Sequence, residues 1–316
     1  MHILLIGATG RTGSAVLSES LARGHSITAL VRDPSSSILT SLIASTPGYK
    51  QRLTLVTGSP LNPLDVSTAV KSAAAAAAAT NSDGNTNIEK NESGQTNATI
   101  GTTNNNNGNK NNNNRLVVIT TLNARRTSDS PFAAPHPSDS PPRMMTDSTA
   151  NIVHALSSLS AASSPSSHCP KEDENTNPTP ALSTRPKIIT LSALGAGSSS
   201  QHTHCIIRAM VAHTNMKHQY ADHTAVEACL RDAVAAGADL DFVIVRPTRL
   251  LDGVGAGVDK NEVAKVFETG TDTGTGGGGS ATVGMMAAVS RLAVARFLVD
   301  AAESDRYDGQ APILIS

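Results

Sequence analysis

The chain has 316 residues, a formal net charge of −1, 2% aromatic residues and no tryptophan. This balanced charge argues against a strongly basic nucleic-acid-binding protein. Three scattered cysteines do not form the pattern of a disulfide framework, so we expect a reducing compartment. The sequence shows neither a signal segment nor about 18 consecutive apolar residues, and we therefore expect a cytoplasmic protein without membrane contact.

The first predicted element is a strand that runs into a glycine turn and then into a helix. Residues 3–6 are an apolar run typical of a strand buried in a parallel sheet, and Gly7, Gly10 and Gly13 follow in the spacing G-x-x-G-x-x-G. At such a junction the glycines permit a tight turn, a close approach of backbone to a pyrophosphate, and close packing of the helix. The pattern predicts a nucleotide site at the helix start. The alternative is a turn that uses glycine for packing alone.

Arg32 follows the second predicted strand, in the segment SITALVRDP. In dinucleotide folds this position faces the adenosine ribose, where a carboxylate binds a free 2′-hydroxyl and a guanidinium pairs with a 2′-phosphate. Arg32, together with Arg11 in the glycine turn, therefore indicates NADP(H). Neighbouring Asp33 keeps NAD(H) as an alternative, and a solvated surface arginine is the other explanation of Arg32.

The middle of the chain alternates predicted elements with polar tracts that cannot offset their own ordering entropy. The predicted elements are helices at 37–44 and 143–161, an alanine-rich helix after Asp65, and strands at 53–59 and 115–122. We expect disordered insertions at 81–114, 123–142 and 163–186. The second of them is long for a strand-to-helix connection and is placed over the active-site edge.

The last third of the chain continues the same alternation. It contains predicted strands at 187–194, 242–245 and 311–316, helices at 216–236 and 285–304, and a Gly-rich loop at 270–280. Repeated strand and helix units predict a doubly wound parallel sheet of Rossmann type, formed by a single α/β domain over residues 1–316. Ligands of such sheets bind beyond the carboxyl ends of the strands.

Four segments in this order carry a resemblance to a known family: the glycine turn GATGRTG, ALVRDP, the strand end SALGAG and DFVIVRPTRLLDG. With the tail ESDRYDGQAPILIS, they make the chain similar to the atypical short-chain dehydrogenases. It looks closest to the NAD(P)H-binding group that includes NmrA-like proteins and flavin reductases of the biliverdin reductase B type. The resemblance covers everything except the polar insertions.

The resemblance implies a set of cofactor contacts. The phosphates would be surrounded by Gly7, Thr9, Gly10, Arg11, Thr12 and Gly13. Arg32 would meet the 2′-phosphate, and Ser59 falls where relatives often place an aspartate near the adenine. Thr120 and Thr121 would lie beside the nicotinamide ribose, Ser192 near the nicotinamide ring, and Pro247 and Thr248 at the border of the same pocket.

The sequence lacks the acid/base pair of the usual short-chain dehydrogenases, Tyr-x-x-x-Lys, because Tyr220 is followed at that spacing by Thr224. A flavin or bilin reductase needs less from the protein, since the nicotinamide supplies the hydride and positioning is most of the catalysis. Ser192 could orient nicotinamide or substrate, the alternative being a plain strand-terminal serine. His223 is a candidate proton relay by resemblance.

Six residues between 202 and 223 raise the question of a metal site: His202, His204, Cys205, His213, His218 and His223. The recurring spacings of zinc sites are absent, so we expect polar histidines and no metal.

Two functions from different classes follow. The first is an NADPH-dependent oxidoreductase that reduces a flavin, quinone or similar conjugated small acceptor. The second is a non-catalytic NADP(H) sensor of the NmrA-like kind, which would bind a regulatory protein partner.

Overall fold

The computed structural model describes residues 1–45, 47–79, 115–128, 130–136, 140–162, 185–252, 262–267 and 282–316. The predicted insertion at 81–114, the one at 163–186 up to residue 184, and the Gly-rich loop at 270–280 lie outside the described residues. Within the described part, no helix is both long and apolar enough to cross a membrane.

A mostly parallel sheet forms the centre of the described chain. Its strands and those of a small second sheet are β1 (His2–Ile6), β2 (Ser26–Val31), β3 (Leu53–Thr57), β4 (Leu116–Thr120), β5 (Lys187–Leu191), β6 (Asp241–Pro247), β7 (Arg249–Leu251), β8 (Lys265–Val266), β9 (Ala288–Ser290) and β10 (Ile313–Ile315). The main sheet has the order β3-β2-β1-β4-β5-β6-β10-β8, and only the β10–β8 pair is antiparallel. Strands β7 and β9 pair separately, in parallel.

Helices cover both faces of the sheet. They are α1 (Arg11–Ala22), α2 (Ser37–Ser45), α3 (Pro63–Ala79), α4 (Met144–Ala162), α5 (Cys205–His213), α6 (Met216–Ala235) and α7 (Arg291–Glu303). Helices α1 and α7 pack on one face, and α3, α4 and α6 on the other. The predicted Rossmann-type α/β fold is confirmed. The crossovers change direction between β1 and β4, which opens a crevice at their carboxyl ends.

Strand β1 shows why the apolar run at the start of the chain belongs in the middle of the sheet. All five of its residues are buried. Ile3 and Leu5 pack in the core shared with α1 and α7, whereas Leu4 and Ile6 pack in the core shared with α3, α4 and α6. A strand with apolar side chains in both directions suits only a sheet covered on both faces.

The start of α7 differs from the sequence-based prediction of a helix over 285–304. The helix begins at Arg291, because Ala288–Ser290 pair with β7 and the Ser290 hydroxyl oxygen accepts the Ala293 N–H at 3.1 Å. A serine in this position satisfies an amide that the first helical turn leaves unpaired.

The Ser/Pro-rich segment at 123–142 was expected to be disordered, but most of it is described and carries backbone hydrogen bonds. Thr127 N–H donates to Ala134 O and His136 N–H to Arg125 O, each at 2.9 Å. The Ser140 hydroxyl oxygen accepts the Arg125 N–H at 2.6 Å. These bonds form a hairpin-like loop after β4, which a composition-based prediction does not detect.

Candidate functional site

The turn between β1 and α1 leaves no room for a Cβ at two of its three glycines. Gly7 has φ of +96°, and a Cβ there would lie 2.7 Å from Thr121 Oγ1. A Cβ on Gly13 would lie 2.0 Å from the carbonyl oxygen of Gly7. Gly10 differs, because it is exposed and a Cβ there would meet only that same carbonyl oxygen, at 3.3 Å. Two glycines therefore build the turn, and the third leaves its outer surface open.

The first turn of α1 contains backbone amides without hydrogen-bond partners in the described part of the chain. Gly10 precedes the helix in an extended conformation and contributes no side-chain cap. Within the described residues, the N–H groups of Arg11, Thr12 and Gly13 have no hydrogen-bond partner. Unpaired amides at the positive end of a helix dipole favour an anion. The geometry thus fits the predicted diphosphate site, with Thr9 half-buried and Thr12 buried beside it.

The two threonines at the end of β4 have different surroundings. Thr120 is buried in the sheet, between Ile6 of β1 and Thr190 of β5. Thr121 lies under the glycine turn, where its N–H donates to Ile6 O at 3.0 Å and its hydroxyl to Gly7 O at 3.3 Å. Thr121 therefore supports the turn from below. The contact of both residues with a nicotinamide ribose stays a prediction.

Two charged residues follow β2: Arg32 and Asp33, whose carboxylate is hydrogen-bonded to Ser35. Arg32 is exposed directly after the strand. The Asp33 carboxylate accepts the Ser35 hydroxyl at 2.6 Å and the Ser35 N–H at 2.8 Å, and these hydrogen bonds lower the pKa of Asp33. One oxygen of the carboxylate that would bind free ribose hydroxyls is thus engaged within its own loop.

Ser59 holds the turn between β3 and α3. Its N–H donates to Asp65 Oδ2 at 2.8 Å, and its hydroxyl oxygen accepts the Leu61 N–H at 3.3 Å. A Cβ on Gly58 would lie 2.6 Å from Asp65 Cβ, so this turn is tight. The structure gives Ser59 a role in the turn, and its predicted contact with adenine stays a prediction.

A cavity of about 210 Å³ lies at the carboxyl ends of β5 and β6. It brings together four of the predicted site residues: Ser192, His223, Pro247 and Thr248. The other residues that line it are Leu122, Asn123, Leu191, Ala193, Gln219, Leu250 and Arg291. Residues that are far apart in the sequence thus meet at the edge where Rossmann-type folds bind ligands.

Three polar side chains of the cavity lack partners. Thr248 is 8% exposed, and its hydroxyl is buried without a hydrogen bond. Within the described residues, the side chains of Ser192 and His223 also make no hydrogen bond, although Ser192 N–H donates to Val245 O at 2.7 Å. A buried hydroxyl is normally paired, so the unpaired Thr248 hydroxyl, with the side chains of Ser192 and His223 beside it, indicates a place for a polar ligand.

Burial keeps the His223 ring neutral near neutral pH. It lowers the pKa of His223 from 6.5 to about 4, and the neighbouring Asp222 carboxylate opposes this shift only in part. Asp222 itself is engaged elsewhere, because its carboxylate accepts the N–H groups of Met145 and Thr146 at 2.9 and 3.0 Å. His223 is therefore a neutral donor or acceptor, which argues against a charged proton donor.

Tyr220 does not replace the missing acid/base pair. It is not among the residues that line the 210 Å³ cavity, and it packs beside Gly195 instead. Burial raises the pKa of the Tyr220 phenol above its usual value. Thr224 lies where a lysine would be, and its hydroxyl oxygen accepts the Gly197 N–H at 3.0 Å.

A carboxylate bridges the glycine turn and the cavity. In the parallel pairing of β7 with β9, Leu251 lies opposite Ser290, so the next residues, Asp252 and Arg291, are neighbours. Asp252 pairs with Arg291 and also with Arg11, whose Nη1 lies 2.7 Å from Asp252 Oδ2. The start of α1 and the cavity are therefore connected by the ion pairs of Asp252 with Arg11 and Arg291.

The histidine-rich stretch does not assemble a metal centre. In the described ranges, no three His, Cys, Asp or Glu side chains come together as ligands. His204 Nδ1 accepts the Ile206 N–H at 3.3 Å at the start of α5, and His202 packs edge-on against Phe267. His223 lines the cavity described above.

A larger cavity, of about 440 Å³, lies near the start of β10 and shares no lining residue with the smaller one. Arg246 lines it and pairs with Glu227 and with the Ser198 hydroxyl, the latter at 3.0 Å. None of the predicted site residues lines this cavity.

A family model described as NAD(P)H-binding matches residues 7–158 and 183–305. The chain belongs to this NAD(P)H-binding family. The match includes the glycine turn and most of the cavity residues, and the resemblance inferred from the sequence is confirmed. A search of curated protein sequences gave no significant match.

Several solved structures share the fold of this NAD(P)H-binding chain at low identity. The anaerobillin reductase ChuY from Escherichia coli O157:H7 is 16% identical, with a TM-score of 0.54 over 100% of this chain and 97% of ChuY. A proposed NADH-flavin reductase of Streptococcus pneumoniae is 13% identical, with a TM-score of 0.50 over 100% and 99% of the two chains. Gre2 from Candida albicans, solved with NADPH, is 11% identical, with a TM-score of 0.54 over 100% of this chain and 78% of Gre2.

The charged part of the candidate site was not predicted from the sequence. Asp252 and Arg291 are 39 residues apart in the chain and meet through the β7–β9 pairing, which is too short to be recognised as a pattern. Asn123 and Gln219 also line the cavity and were not predicted. The one available signal was the serine before Arg291, a typical residue at a helix start, which would have placed the arginine there.

Proposed function

We propose that the protein is an NADPH-dependent reductase of a small, flat, conjugated acceptor such as a flavin or a quinone. The observation that carries this proposal is the adjacency of two features: the unpaired amides at the start of α1 and a cavity with three unpartnered polar side chains. A dinucleotide whose diphosphate lay on the amides would extend toward the cavity.

The residues around the cavity can bind and orient but do not form a conventional acid/base pair. A bound dihydronicotinamide would supply a hydride from its C4 to the acceptor and leave as the oxidised nucleotide, while the acceptor takes one proton from solvent. Ser192 and Thr248 would fix the reacting rings by hydrogen bonds, and Leu122, Leu191 and Pro247 would exclude water. Neutral His223 would add a hydrogen bond without donating charge.

The preference for NADPH over NADH rests on the end of β2. Arg32 is exposed there, whereas the Asp33 carboxylate is held by Ser35. A guanidinium matches a 2′-phosphate, and a carboxylate in the same place would repel it. Two of the structural neighbours carry reductase names, which agrees with the proposed chemistry.

Mixing the purified protein with NADPH and FMN tests the proposal. We expect loss of the NADPH absorbance that depends on both the protein and FMN, at a rate well above that of the mixture without protein. A quinone such as menadione provides a second acceptor. Tight NADPH binding with no consumption in the presence of either acceptor would contradict a reductase.

The small cavity favours a second candidate, a non-catalytic NADP(H) sensor with a regulatory protein partner. Its volume of about 210 Å³ is below the roughly 300–1,000 Å³ of most ligand sites. A sensor would need room for a nicotinamide and no acceptor. The experiment above separates the two, because a sensor binds the nucleotide and consumes none.

A further inference from the structure

The formal charge in the lining of the 210 Å³ cavity, the proposed acceptor site, is positive. Among the residues that line it in the described part of the chain, Arg291 is the only charged residue. The rest are apolar or neutral, given the lowered pKa of His223. Arg291 is the first residue of α7, and its side chain is 14% exposed. Its position is fixed on both sides, by the Ser290 helix cap and by the β7–β9 pairing.

The ion pair between Arg291 and Asp252 is easily exchanged. Asp252 is 57% exposed and is shared with Arg11, which is 65% exposed. Ion pairs at such exposure contribute about 0–1 kcal/mol. A planar guanidinium that lines a cavity binds a carboxylate or phosphate by two parallel hydrogen bonds, an arrangement that is stronger. A ligand anion can therefore displace Asp252 at little energetic cost.

We propose that Arg291 is a specificity-determining residue that binds an anionic substituent, a carboxylate or a phosphate, of the conjugated acceptor, and that Asp252 holds Arg291 until this anion arrives. The inference rests on the proposed reductase function and narrows its substrate class to anionic acceptors. The conjugated ring lies against the apolar wall and the hydroxyls of the cavity, and the anion lies at its mouth beside Arg291.

FMN and riboflavin are a matched pair of probes, because they share the ring system and differ by one phosphate. Equilibrium binding of each flavin is measured by calorimetry, with and without saturating NADP⁺. We expect FMN to bind at least about tenfold more tightly than riboflavin, as one charge-assisted contact provides. Arg291→Gln should reduce this ratio to about twofold or less.

Two further variants complete the test: one should tighten FMN binding, and the other is a control that should not change it. Asp252→Asn removes the competing carboxylate and should tighten FMN binding severalfold while leaving riboflavin unchanged. Arg296→Gln makes the same exchange on the same helix, at a residue that contacts Glu262 O and does not line the cavity. It should leave both flavins unchanged.

The outcomes separate this inference from the proposed function. If both flavins bind equally and both are reduced, the reductase proposal stands and the role of Arg291 is refuted. If Arg291→Gln weakens NADP⁺ and not FMN, the guanidinium serves the cofactor diphosphate, and the inference is overturned. Absence of FMN binding under every condition also overturns it, whereas NADPH consumption with menadione would still support a reductase.

Discussion

Two clusters of buried polar side chains differ in their pairing: one at the amino ends of β4, β5 and β6, called the paired edge, and one at the carboxyl ends of β5 and β6, called the unpaired edge. At the amino ends of β4, β5 and β6, charged groups are buried and paired. Lys187 is 0% exposed, and its ammonium donates to Ala301 O and Ser304 O at 3.0 and 2.8 Å and contacts Asp308. Arg115, next to it, pairs with Asp241, Asp305 and Asp308. At the carboxyl ends of β5 and β6, Ser192, Thr248 and His223 are buried without side-chain hydrogen bonds in the described residues.

This difference distinguishes side chains that stabilise the fold from side chains that are available to bind a ligand. A buried charge must be compensated within the chain, and removal of its partner is strongly destabilising. An unpaired hydroxyl or imidazole destabilises the apo protein by less, and a ligand that supplies the partner recovers that energy. The paired edge therefore contributes to stability, and the unpaired edge to recognition.

The largest expected effect is at the paired edge. Lys187→Met leaves two buried carbonyl groups without their donor and Asp308 with Arg115 as its remaining cation, and we expect the free energy of unfolding to fall by about 3 kcal/mol. Urea denaturation measures this. NADPH affinity of the folded variant should stay within about twofold, because the site is at the other edge.

Arg185→Met is the matched control for Lys187. Arg185 contacts Asp239 and Asp241 at 3.3 and 3.2 Å but is 44% exposed, so its loss should lower stability by less than about 1 kcal/mol. Equal losses for the two variants would mean that burial does not set the contribution of a charged group at this edge.

The next effect distinguishes two glycines of one turn. Gly13→Ala places a Cβ 2.0 Å from the Gly7 carbonyl oxygen, where only the backbone can move, so we expect about 2–3 kcal/mol of lost stability and about 100-fold weaker NADPH binding. Gly10→Ala meets nothing closer than 3.3 Å and should fold normally. Its Cβ lies on the outer surface of the turn, so it should weaken NADPH binding alone. A Gly10→Ala variant with unchanged affinity would place the diphosphate elsewhere.

Structural features with a local cause could be predicted from the sequence, whereas features that depend on pairing between distant segments could not. The strand, turn and helix from His2 to Ala22 follow from neighbouring residues, since a buried apolar run and three glycines each have one steric meaning. The gathering of Ser192, Pro247 and Thr248 follows from parallel topology, because the ends of β5 and β6 share one edge.

Other features could not be predicted because they depend on contacts between distant segments. The Arg11–Asp252–Arg291 group needs the pairing of two three-residue strands. The neutrality of His223 needs the burial that the packed fold gives its ring. The hairpin-like loop after β4 needs a hydrogen bond between Arg125 and Ser140. Composition and periodicity contain none of this information.

His223 gives the unpaired edge a pH dependence. Its pKa is about 4 in the fold and 6.5 in an unfolded chain, so the unfolded chain binds more protons between these values. The contribution of neutral His223 to the free energy of unfolding is therefore fully present above pH 6.5 and is lost as the pH falls toward 4. The loss between pH 7 and 5 is about 2 kcal/mol. His223→Gln should remove this part of the change, measured by urea denaturation at both pH values.

The pH slope of the variant should shrink and not vanish. Burial also lowers the pKa of His2 to about 4, and His2 lies at the opposite edge with its Nε2 2.9 Å from Thr28 Oγ1. An unchanged slope in His223→Gln would mean that His223 is solvated in solution.

Substitution of Arg32 tests the proposed preference for NADPH over NADH. Arg32→Ala should weaken NADP⁺ binding about tenfold or more, because one charge-assisted contact is lost, and should change NAD⁺ binding by no more than about twofold. Calorimetry with both nucleotides measures this. Arg11→Ala, at the proposed diphosphate site, should weaken both to a similar extent. Equal losses for both nucleotides in Arg32→Ala would refute the assignment of NADPH.

The smallest expected change in stability is at Thr248, and its sign is the informative part. Thr248→Val removes a buried hydroxyl that has no partner, so stability should stay constant or rise by up to about 1 kcal/mol, while acceptor binding weakens. Thr28→Val makes the same exchange at a buried hydroxyl that is hydrogen-bonded to His2, and it should lower stability by about 1 kcal/mol without an effect on binding. If both variants lost stability equally, Thr248 would have a partner within the chain, and the unpaired edge would be as fully compensated as the other.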